Sequence, residues 1–196
     1  LKGTGIEIRS PFIIGDAILA QKHILSEWAN ISKMQVDDSC GLHIHVSIAD
    51  FTLYDVRRLY NRAFFYEDQF FKLVPYHRRN NKYCKRFKAG RDVKNRISYS
   101  LIKQQKDFSD VSRVDRYRWI NFSTATRGSV EFRLAPGTSN INLILLWAKM
   151  CVSFVDASVR PFSSKAALGL PEFCRLSKQE IQLCNDADPT HGIFKN

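Results

Sequence analysis

Cys40-Gly41-Leu42-His43-Ile44-His45-Val46-Ser47 alternates apolar and polar residues with a period of two, the pattern of a half-buried β-strand. Leu42, Ile44 and Val46 point to a core, and His43, His45 and Ser47 point to the opposite face. The two imidazoles then stand about 7 Å apart, at a rise of roughly 3.3 Å per residue. The chain has 5 histidines, so two on one strand face is a concentration. Imidazole is both a metal ligand and a proton carrier. A surface strand with two incidental histidines is the plainer reading, and the neighbouring elements must decide between them.

Working outward, Gly5–Arg9 reads as a short strand and Asp16 to about Ile31 as a helix. Thr52-Leu-Tyr-Asp55 resembles a capping box with Asp at its fourth position. It opens an amphipathic helix to about Leu73 that buries Val56, Leu59, Tyr60, Ala63, Phe64, Phe70 and Phe71, and Pro75 ends it. A basic segment follows, with a short helix near Asn95–Gln105. Arg116–Ser123 and Ser129–Leu134 read as strands joined in a hairpin through the Gly128-bearing connection. Pro136-Gly137-Thr138 is a turn, and Ser139 or Asn140 caps a helix to about Val159, apolar most of the way round and so expected to be buried. Ser177-Lys-Gln-Glu180 caps a last short helix. The class is α+β.

The 196 residues suit one domain, which buries about 70% of its unfolded surface without disulfides or metal staples. An apolar content of 44% and a mean hydropathy of −0.27 exclude a disordered chain. The longest apolar stretch, Leu143 to Val155, is broken by Lys149 and Ser153, so no membrane partner is expected. No signal peptide is visible, and Cys40, Cys84, Cys151, Cys174 and Cys184 are odd in number and scattered. That is the pattern of reduced thiols in a cytoplasmic protein. The net charge of +11 implies an anionic partner: nucleic acid, a nucleotide or a polycarboxylate. The densest basic stretch, Tyr76 to Arg96, is for most of its charges a solvated loop.

Three strands share one design. Glu7 and Arg9 oppose Ile6 and Ile8, His43 and His45 oppose Ile44, and Glu131 and Arg133 oppose Val130, Phe132 and Leu134. Asn121 shares a face with Trp119 and Tyr117 on the hairpin partner. Paired in one sheet, these strands gather Glu7, His43, His45, Glu131, Arg133 and Asn121 on one surface. Carboxylates with imidazole suit Mg²⁺ or Mn²⁺, and an arginine beside them holds phosphate or carboxylate oxygens in a fork. Metal plus arginine is what phosphoryl transfer requires. Read plainly, Glu131–Arg133 and Glu7–Arg9 are ion pairs on a wet face, worth little. Cys40, His43 and His45 have the make-up of a zinc site. However, no second cysteine pair accompanies them, and a small buried thiol is the better reading of Cys40.

Four ordered motifs resemble the amidoligase family, related to glutamine synthetase. They are Gly5-Ile-Glu-Ile-Arg-Ser-Pro11, Cys40–Ser47, Arg78-Arg-Asn-Asn-Lys-Tyr-Cys84, and Asn121 followed by Val130-Glu-Phe-Arg-Leu-Ala-Pro-Gly-Thr138. The resemblance spans about residues 3 to 160 and leaves residues 165–196 as a C-terminal extension. It implies an antiparallel sheet curved around an ATP and metal site, as in glutamine synthetase, with helices on the outer face. It also implies ATP-dependent amide formation, in which a carboxylate becomes an acyl phosphate that an amine displaces. By analogy Glu7, His43 and Glu131 ligate Mg²⁺ (or Mn²⁺), and Arg133 holds transferred phosphate, which with Glu131 makes it catalytic. His45 and Asn121 lie by the nucleotide, and Arg79 neutralises a phosphate or a substrate carboxylate.

The family's usual opening strand, F-G-x-E-x-E, has no counterpart in these residues. Truncation at the N-terminus, favoured by the missing initiator Met, and loss of activity are the two explanations. The substrates expected are a small-molecule or peptide carboxylate and an amine. A rival reading takes His43-Ile-His45 as the metal motif of a single-stranded DNA nuclease of the replication-initiator type, with Tyr99 as nucleophile and Lys103 behind it. That spacing is one residue longer than Y-x-x-K, and the rival leaves Glu131-Phe-Arg133 and Pro136-Gly-Thr138 without a role. A 2H phosphoesterase needs a second H-x-[ST], and none of His23, His77 or His191 begins one. A binding module without catalysis is the third possibility.

Overall fold

The strand at the centre of the fold is Ser129–Phe132, flanked on both sides by antiparallel partners in a three-stranded sheet that does not close. The computed structural model describes residues 7–10, 13, 35–87, 116–160 and 168–187. The chain divides into two units, Leu1–Gln35 and Val36–Asn196. Of the first unit, Glu7–Ser10 run without regular secondary structure, so the strand expected over Gly5–Arg9 does not form at Glu7–Arg9, and Gly5 and Ile6 lie outside the described residues. The expected helices at Asp16–Ile31 and Asn95–Gln105 lie outside the described residues, as do Tyr99 and Lys103.

The second unit contains β1 (Ile44–Ser47), α1 (Leu53–Lys72), α2 (Tyr76–Arg79), β2 (Ile120–Asn121), β3 (Ser129–Phe132), α3 (Ile141–Ser158), α4 (Leu170–Phe173) and α5 (Lys178–Ala187). The sheet order is β1-β3-β2. The expected hairpin forms: β2 and β3 pair antiparallel through a 3₁₀ turn, Ala125–Arg127, that ends on Gly128 at φ 73°. A left-handed residue costs glycine least. The register sets Ile44 opposite Phe132 and Val46 opposite Val130, so the apolar faces of β1 and β3 coincide.

The register then slips. Gly41 bridges Pro136, so three residues on the β3 side (Arg133 to Ala135) face two on the β1 side (Leu42 and His43). This is a β-bulge, and it frees main-chain carbonyls from the ladder. Gly137 lies where the chain crosses Val36 and Cys40, and a Cβ there would collide with that of Cys40.

Helix α1 begins at the expected capping box: Asp55 N donates to Thr52 Oγ1 at 3.3 Å and Thr52 N donates to Asp55 Oδ2 at 3.0 Å. Its buried face carries the expected residues except Phe64, which is partly buried, and adds Arg57, Tyr66 and Glu67. Asn140 caps α3, accepting from Asn142 N and Leu143 N. This helix reaches eighteen residues and is by length and composition apolar enough to cross a membrane, contrary to the reading of Lys149 as a break. Lys149 sits on its exposed side in an ion pair with Glu180 at 2.5 Å. The opposite side, including Leu146, Trp147, Met150, Phe154 and Val155, is buried, whereas Val152 is 42% exposed. Burial is therefore one-sided, on the face that packs against β1 and α1.

Aromatic rings join the layers. Phe70 lies 4.7 Å from Trp119 and 5.1 Å from Phe154, which also meets Tyr66, Phe132 and Phe173. Trp119 departs from the face expected for it. The chain bends there beside a two-residue strand, so period two fails. The indole enters the core, where its Nε1 donates to the buried Glu67 at 3.0 Å. Phe154→Ala is expected to lower unfolding free energy by about 3–5 kcal/mol, and Thr52→Ala by about 1 kcal/mol. Urea unfolding followed by tryptophan fluorescence measures both.

Candidate active site

One cross-sheet row carries the polar face: His45 pairs with Glu131, and Glu131 pairs with Asn121. Glu131 takes the middle because β3 is the central strand, and it is only 6% exposed. Its two oxygens have four neighbours. Arg133 Nη1 donates to Oε1 at 2.8 Å, His43 Nδ1 lies 3.1 Å from the same oxygen, and His45 Nε2 lies 3.9 Å from it. Asn121 Nδ2 donates to Oε2 at 2.8 Å. Asn121 is itself oriented by Ser123, whose N and Oγ donate to Oδ1 at 2.9 and 2.6 Å.

Burial by itself would push the Glu131 carboxyl up. The His43 and Asn121 hydrogen bonds and the Arg133 charge outweigh it and hold the pKa at about 2. The group is therefore ionised across the neutral range. Because its folded value is depressed, its stabilising contribution is present above the ordinary carboxyl value of 4.5. That contribution is lost as pH falls through about 2.

Arg133 is fixed on two sides, by Glu131 and by the Tyr83 carbonyl, to which Nε donates at 3.1 Å. Behind it lies Arg78, 3% exposed. Arg78 Nε donates to Leu134 O at 3.2 Å and Nη2 to Arg133 O at 2.6 Å, two carbonyls of the bulge. A buried carbonyl without a partner is costly, and the guanidinium fork supplies two donors at once. Gly41 leaves room for it: a Cβ at that position would stand 3.1 Å from Nη2. The Cys84 thiol donates to Arg78 O at 3.4 Å.

The remaining sequence-chosen residues lie as follows. Glu7 belongs to the first unit, where Arg9 Nε donates to it at 3.0 Å. Arg79 donates to Val74 O at 2.8 Å and Lys72 O at 3.4 Å, so its guanidinium closes the C-terminal end of α1. Cys40 is half-buried, with Sγ 3.6 Å from Asp37 Oδ1. His77 lies 3.5 Å from Asp38. Sequence reasoning missed Arg78 and Tyr83. Both lie in the Arg78–Cys84 motif, where two adjacent arginines look alike until the bulge selects one.

Among the described residues no group of three or more His, Cys, Asp and Glu side chains is arranged to hold a metal ion. The donors present do fit part of such a site. These are the Glu131 carboxylate and the His43 imidazole, whose Nδ1 would give up its hydrogen bond to Oε1 in order to take an ion.

The chain's match to known proteins is at the family level. The model of a family described as “putative amidoligase enzyme” matches residues 2–155, more than half of the chain. No match was found among curated proteins or among solved structures.

Arg78→Lys keeps the charge but loses the fork. It is expected to lower unfolding free energy by about 1–3 kcal/mol, measured by urea unfolding, while Arg79→Lys costs less than about 1 kcal/mol.

Proposed function

Since the chain belongs to the amidoligase family, we propose that it is an ATP- and Mg²⁺-dependent (or Mn²⁺-dependent) carboxylate–amine ligase acting through an acyl phosphate. The observation that carries this reading is Arg133, pre-set by the ionised Glu131 between the two histidines and Asn121. Phosphoryl transfer is mostly positioning and charge neutralisation, and a guanidinium held on both sides needs little reorganisation to meet transferring oxygens.

The substrate carboxylate takes the γ-phosphoryl group of ATP, releasing ADP. The amine then adds to the acyl carbon, a proton leaves the nitrogen, and phosphate departs. Arg133 holds the phosphate oxygens through both steps. Glu131 and His43 are the residues of the second unit that would hold the divalent ion, which would neutralise triphosphate charge when bound. Asn121 and His45 flank the nucleotide. Arg79, whose guanidinium bonds the carbonyls at the end of α1, would add a second positive charge for a phosphate or a substrate carboxylate. In this reading the three-stranded sheet is the core of a glutamine synthetase-like curved sheet.

In the full-length protein, MgATP at a hundredfold excess over its dissociation constant is expected to add about 2.7 kcal/mol of stability. That raises the melting temperature by roughly 5–10 °C. Glu131→Ala and chelation of the metal should each remove most of the shift. Equal shifts in wild type and Glu131→Ala, or no shift in either, would contradict the ligase.

A further inference from the structure

Next to the Glu131 group is a cation-rimmed pair of tyrosines that the ligase reading leaves without a role. The rings of Tyr83 and Tyr117 stand 5.6 Å apart at 63°. The backbone holds them there: Lys85 N donates to Tyr117 O at 2.7 Å and Trp119 N donates to Lys85 O at 3.0 Å. Cations collect on the pair. Lys82 Nζ is 5.0 Å from the Tyr83 ring, and Arg116, Lys85 and Arg133 are 5.0, 5.9 and 6.0 Å from the Tyr117 ring. Tyr83 is 48% exposed, and Lys82 and Arg116 are exposed. Through Arg133 the shelf runs directly into the Glu131 group.

Gathering like charges costs Coulomb energy, and a cation on a ring at an exposed site returns only about 0.5–1 kcal/mol. Among the described residues the carboxylate on this shelf is Glu131, already taken by Arg133. Lys82 and Arg116 make ring contacts there and no ion pair with a described carboxylate. Lys82 and Arg116 therefore gain from an anion that reaches both of them and ends at Arg133. Single-stranded nucleic acid binds through bases stacked on open ring faces, and here the protein's own cations stand over those rings.

We propose that the carboxylate substrate is a polycarboxylate, such as an acidic peptide. Lys82 and Arg116 on the Tyr83–Tyr117 shelf bind its further carboxylates while the reacting one meets Arg133. This rests on the ligase reading and names its substrate class. The net charge of +11 favours the same partner by steering it electrostatically.

The test is fluorescence anisotropy of labelled hexaglutamate with the full-length protein, without nucleotide, at low and at moderate salt. Hexaglutamate should bind and hexaserine should not. Lys82→Gln with Arg116→Gln should weaken binding about tenfold at an unchanged melting temperature, and Lys82→Arg should restore most of the Lys82 share. Equal binding of hexaserine, unaltered affinity in the double variant, or displacement by an oligothymidylate of equal charge at lower concentration would overturn the proposal. MgATP binding without peptide binding overturns the shelf alone. Peptide binding without MgATP binding overturns the ligase reading and leaves an anion site.

Discussion

The buried carboxylate of Glu131 is the constraint on which the site depends. A charge at 6% exposure is costly unless it is paired and hydrogen-bonded. Here a guanidinium, an imidazole and an amide satisfy it on both oxygens. Each partner comes from a different place in the chain: Arg133 from just past the end of β3, His43 from the approach to β1, and Asn121 from β2. Glu131 thus converts sheet register into site geometry. A slip of one residue would turn the whole row to the other face.

The irregular end of the sheet matters as much as the regular part. The extra residue between Arg133 and Ala135 releases carbonyls, and Arg78 takes two of them from beneath Gly41. Three of the sequence motifs therefore meet at one guanidinium: Gly41 of the histidine strand, Arg78 of the basic segment, and the carbonyls that follow Glu131. Arg133 begins where the bulge begins, so the brace that satisfies the backbone also limits where its side chain can go.

Much of this was legible because local rules and the fold agree. The alternation of Leu42, Ile44 and Val46 with His43 and His45, the Thr52–Asp55 box, the Gly128 hairpin and the Asn140 cap each express a short-range rule. What escaped the sequence depended on long-range contacts. Trp119 left its expected face because Glu67, on α1, accepts its indole N–H in the core. Arg78 and Arg79 differ by one position, and only the bulge decides which turns inward. Two adjacent charges in a basic run carry no local sign of that. The Tyr83–Tyr117 pair joins segments more than thirty residues apart, which no periodicity could reveal.

The most direct measurement is the pH titration of the Glu131 carboxyl carbon by ¹³C nuclear magnetic resonance in the folded, full-length protein. Assignment comes from loss of the signal in Glu131→Gln. The carboxylate held by Arg133, His43 and Asn121 should keep the shift of its ionised form down to about pH 3, in keeping with a pKa of about 2. A titration midpoint at or above the ordinary value of 4.5 would mean that these partners do not hold it. The account of Arg133 as a pre-set phosphate-binding group would then be contradicted.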